Sequence, residues 1–81
     1  MPRYYFHFRS AQDIAKDDQG TDLPDLEAAH AAALASAREL VADAIKAGYD
    51  DIPESILITD EVGKELASVP LKKVVPSRLR D

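Results

Sequence analysis

The chain has 81 residues, no cysteine and a formal net charge of −5. That is the length of one domain, with a stability on the order of 5 kcal/mol. The composition excludes disulfides, thiol nucleophiles and thiolate metal sites, and the acidic balance counts against a general nucleic-acid binder. No apolar run approaches the roughly 20 residues that cross a bilayer. The opening MPRYYFHFR lacks the apolar core of a signal peptide, so a cytoplasmic protein without a membrane role is expected.

Arg3 to Arg9, RYYFHFR, reads as the first strand, because aromatic residues favour the pleated backbone. Alternation sends Tyr4, Phe6 and Phe8 to one face, the more apolar one, and Tyr5, His7 and Arg9 to the other. Ser10 to Asp13 looks like a turn. Ile14 and Ala15 can start a second strand, but Lys16 to Gly20 are poor strand formers, so a ragged edge or a loop is expected. Asp17 and Asp18 adjoin, yet without the spacing of a calcium loop they read as a solvated turn. Thr21 to Pro24 leads into a helix, and Leu23 is placed to fold back on its first turn.

Asp25 to Ala47 is the one long helix this chain can make. Ala, Leu, Glu, Arg and Lys dominate it, with no Pro or Gly inside. Asp25 is the N-cap, Gly48 is the C-terminal cap, and Glu27 and Lys46 complement the dipole. Leu26, Ala29, Ala33, Leu34, Ala37, Leu40, Val41, Ala44 and Ile45 define one apolar stripe. His30 falls inside it. Ala28, Ala31, Ala32, Ala35 and Ala42 make a smooth opposite side. One stripe on one helix requires a second layer to cover it.

Tyr49 to Ser55 reads as a loop, with Tyr49 available to cover the helix end. Ser55 to Asp60 is a strand, Glu61 to Gly63 a hairpin loop, and Lys64 to Leu71 the last strand. Pro70 has no N–H and belongs at an edge. The tail from Lys72 to Asp81 carries Lys72, Lys73, Arg78 and Arg80 and is expected to fray. The chain therefore reads as α+β: a β-β-α-β-β sandwich of one helix on a mainly antiparallel sheet. Residues 1–71 form the domain and 72–81 a basic tail.

The opening MPRYYFH, Gly20, LPDLEAA at 23–29, and TDEVGKE followed by VP resemble an uncharacterised family of small alphaproteobacterial proteins, a domain of unknown function. The resemblance runs from Met1 to about Pro70. It implies a compact domain with no assigned activity and no established site residues. A looser, architectural likeness is to the HicB-type antitoxins, which run strand, strand, helix with a glycine-containing acidic turn and a Pro-Asp-Leu segment, here Pro24-Asp25-Leu26. That likeness implies neutralising a small ribonuclease toxin by binding it.

Nothing in the sequence names an activity. Tyr5, His7 and Arg9 share the face away from the helix, with Leu57, Thr59, Leu66 and Ser68 as neighbours. They form a candidate interaction face, either for an anion with His7 and Arg9 as donors, or for a homodimer, or simply a solvated surface. His30 reads as a core histidine bonded to a backbone or tyrosine oxygen. Two histidines and no cysteine make a zinc site a poor expectation. No nucleophile elbow, phosphate loop or metal motif is present, so neither an enzyme nor a cofactor is expected. The expected function is a small non-enzymatic protein-interaction module that binds another chain or a second copy of itself through its open face or an edge strand. The alternative is an antitoxin-like or nucleic-acid-associated regulator using the basic tail.

Overall fold

The computed structural model describes residues 1–48 and 52–76. Its elements in chain order are β1 (Arg3–Arg9), β2 (Ile14–Ala15), β3 (Thr21–Asp22), α1 (Leu26–Ala47), β4 (Ser55–Thr59), β5 (Glu65–Pro70) and a 3-10 turn (Leu71–Val74). One helix lies on an antiparallel sheet of five strands, an α+β fold. The strand order is β2-β1-β4-β5, with β3 also paired to β1.

The helix ends follow their caps. Asp25 is extended, and its Oδ1 accepts from Ala28 N at 2.8 Å. Gly48 turns left-handed at φ 77°, and its N–H donates to the Ala44 carbonyl. The buried stripe is narrower than the apolar pattern. Ala29, Ala33, Ala37, Val41 and Ala44 are buried, whereas Leu34 and Leu40 pack at its margin. Leu26 and Ile45 are exposed, the latter at 63%. Small residues along the centre let the helix sit close to the sheet, and the sheet supplies the bulk. Ile56, Ile58, Val69 and Leu71 are the largest fully buried side chains. His30 is half-buried, and its ring makes no hydrogen bond among the described residues. It is therefore not the core histidine expected: the buried stripe runs along Ala29 and Ala33, and His30 lies beside it.

Tyr4, Phe6 and Phe8 do face the helix, with Tyr4 in the buried cluster and the two phenylalanines against it. The edge beyond β1 is split. β2 pairs with Phe8 and Arg9, and β3 pairs with Arg3 and Tyr4. Thr21–Asp22, read from sequence as a lead-in to the helix, is thus a strand. Across this pairing Arg3 Nε donates to Asp22 Oδ1 at 3.0 Å, a contact no local pattern announces.

β4 and β5 form the expected hairpin, closed by Asp60, whose Oδ1 accepts from Val62 N and Lys64 N. A bulge shifts the register: Ile58 faces Ala67 but Thr59 faces Glu65. The extra residue, Leu66, packs against the core instead of joining the open face. Leu71 starts the 3-10 turn and does not extend β5. Val74 and Val75, in the segment expected to fray, pack against the core. Residues 77–81, with Arg78 and Arg80, lie outside the described residues, as does Tyr49.

Candidate functional site

The unpaired gap between β2 and β3 is where the open face acquires its structure. β1 leaves the Phe6 N–H without a strand partner on that side, and the Asp17 side chain supplies one. Asp17 Oδ2 accepts from Phe6 N at 3.1 Å, and Oδ1 accepts from Gln19 N and Gly20 N, each at 3.1 Å. One carboxylate therefore replaces a missing stretch of ladder and closes its own loop. Burial pushes the Asp17 carboxyl up, but the Gly20, Phe6 and Gln19 amides outweigh it and hold the group below its ordinary value. Asp17 is a structural anchor, its carboxylate committed to three backbone amides. Among the described residues no cluster of three His, Cys, Asp or Glu is arranged for a metal.

The same loop fixes His7. The backbone N–H of Asp17 donates to His7 Nδ1 at 3.0 Å. An amide N–H can only donate, so Nδ1 accepts and the neutral ring carries its hydrogen on Nε2. That hydrogen faces Thr59 Oγ1 at 3.0 Å. Thr59 is buried on β4, on the same face. The wiring has a chemical consequence: Nε2 already bears a proton and cannot take one from Thr59. His7 and Thr59 form a latch between β1 and β4.

Tyr5 and His7 lie nearly parallel, 11° apart, with ring centroids separated by 6.5 Å. The Tyr5 ring and the Arg3 stem occupy the space that a side chain at Gly20 would need. The φ of Gly20 is +73°, and a Cβ there would come within 2.7 Å of Arg3 Cγ and 2.9 Å of Tyr5 Cε2. Only glycine satisfies both the left-handed backbone and that approach. Leu57, paired with His7 across β1 and β4, is buried on this face although no helix covers it.

Tyr5, His7, Leu57 and Thr59 floor an open hollow of about 460 Å³. Lys16, Asp17 and Asp18 wall it on one side, and Asp60, Glu61 and Glu65 on the other. Of the three residues the sequence singled out, Tyr5 and His7 are brought together here. Arg9 is exposed at the far end of β1 and does not line the hollow. Both His7 nitrogens are engaged, so neither the histidine nor the arginine offers a donor to an anion at this place. The acidic residues of the two loops are what sequence reasoning missed. The runs Asp17-Asp18 and Asp60-Glu61 were visible, but nothing local places them on opposite sides of one hollow.

None of the curated proteins and none of the solved structures matches the chain. The model of a family described as a domain of unknown function, DUF6894, matches residues 3–72, which covers every strand and the helix, and the chain belongs to that family.

Proposed function

We propose that this chain is a small non-enzymatic interaction module that binds another protein through the open face of its sheet. The observation that carries the proposal is the construction of that face. Its floor presents the half-buried Tyr5 and His7 rings, no helix among the described residues lies over it, and its side chains are held in one arrangement by the Asp17–His7–Thr59 hydrogen bonds. A surface held in one arrangement loses little entropy on binding. The latch leaves His7 no role as a base toward Thr59, which supports a binding surface over a catalytic one. Self-association face to face would set one acidic hollow against another, so the partner is a different protein. The same acidity weighs against a nucleic acid on this face.

The test is capture from a lysate of the source organism, with partners identified by mass spectrometry. Wild type is compared with Tyr5→Ser and with Arg38→Glu, which alters the exposed side of α1. A partner held by wild type and Arg38→Glu, and lost with Tyr5→Ser at unchanged helicity, is the expected result. Equal capture by all three would put the contact elsewhere and sink the proposal.

A further inference from the structure

We infer that the hollow receives a lysine- or arginine-bearing segment of the partner, its cationic group seated over the Tyr5–His7 pair between the two acidic walls. This rests on the reading that the open face binds protein, and it names the chemistry of what is bound. Charge distribution is the first ground. The lining holds five carboxylate residues against Lys16, a net of four negative charges, in a chain whose whole net charge is −5. The rest of the chain is close to balance. A basic segment is therefore steered to this hollow, while acidic, phosphorylated or self partners are repelled from it.

The carboxylates divide by role. Asp17 and Asp60 accept from backbone amides and shape the two loops. Asp18, Glu61 and Glu65 are exposed, and their carboxylates make no hydrogen bond or ion pair among the described residues. They stand on both sides of the floor with their oxygens uncommitted.

The floor is the second and independent ground. The Tyr5 ring offers a π face to a cation, and Ile14, 40% exposed in the lining, offers apolar surface to the methylene stem that carries it. A simple metal ion would use neither. A smaller hollow of about 250 Å³ adjoins the first, sharing Asp60 and Glu61 and carrying Val62, Pro2 and Arg3, whose guanidinium is bonded to Asp22. Val62 is 87% exposed. The bound segment thus pairs its basic residue with a neighbouring apolar one.

The experiment uses the full chain, isotope-labelled, titrated with short Gly/Ser peptides containing Val and either Lys, Glu or neither. Amide shifts report the place of binding. The Lys peptide is expected to shift Tyr5, His7, Asp18 and Glu65 while the other two do not. The combined Asp18→Asn, Glu61→Gln and Glu65→Gln variant should bind it about tenfold more weakly with an unchanged melting midpoint. Tyr5→Leu, which keeps apolar bulk, should weaken it about threefold. Shifts centred on α1, or full affinity in the combined variant, would overturn the inference. Binding of the Glu or uncharged peptide at the same amides would also overturn it, yet leave the face as a protein-binding surface. Absence of all peptides from the face would overturn both.

Discussion

Tyr4, Phe6 and Phe8 look toward the helix, and Tyr5 and His7 look away from it, so one strand serves two unlike surfaces. On the helix side the residues are interchangeable in kind. Ile56, Ile58 and Val69 are buried because they are apolar and of suitable size, and the alanines of α1 let the helix close over them. On the open side each residue has a particular partner: Asp17 for Phe6, Asp17 for His7, His7 for Thr59, and Gly20 for Tyr5. The first surface carries most of the stability. The second contributes less, yet it determines what the molecule presents to others.

That contrast can be broken most directly in the core. Ile58→Ala should cost roughly 2–5 kcal/mol, most of the stability of a domain this small. Leu34→Ala, at the margin of the stripe, should cost clearly less in the same denaturant titration. An equal loss would mean that the stripe is wider than its buried alanines.

On the open face, Gly20→Ala should cost about 1–2 kcal/mol from the left-handed backbone alone. It should also displace the Tyr5 ring, seen as shifted aromatic proton resonances. A stable variant with unmoved Tyr5 resonances would remove glycine from the account of this face.

Asp17→Asn tests the latch and adds a pH dependence. The folded carboxyl lies below its ordinary value of 3.8, so folding is favoured by its ionised form. That contribution is complete above the unfolded value and is lost as pH falls through the folded one. Wild type should therefore lose stability below about pH 3.8 more steeply than Asp17→Asn does. Parallel curves would place the acid sensitivity elsewhere.

The smallest effect belongs to Asp22→Asn. Its partner Arg3 and Asp22 itself are both about half exposed, at 45% and 49% of their side-chain surface. Solvent and salt screen such a pair, and the melting midpoint should barely move. A large drop would mean that the short β3 pairing holds the whole 16–20 loop in place.

The helix was legible to the residue because its signals are local. Asp25, Gly48 and the alanine-rich composition act within a few positions of where they stand. β1 was equally legible, since alternation alone assigns its faces. The width of the buried stripe was not, because apolarity does not reveal how closely a sheet approaches. Leu66 was misplaced for a related reason: one bulged residue reverses the face that strict alternation assigns. At the site, Tyr5 and His7 were found from their alternation, and Arg9 was grouped with them by the same rule, although the hollow ends before it.

By itself the sequence determined the helix with its caps, the strands β1, β4 and β5 to within a residue at their ends, the apolar face of β1 and the excess of acid. Strand order, the split edge of β1 and the convergence of two acidic loops around Tyr5 and His7 came from packing. The physical reason is separation along the chain. Caps and alternation act over a few residues, whereas the latch joins His7 to Thr59 across 52 positions. That contact exists only because α1 returns the chain so that β4 can pair with β1.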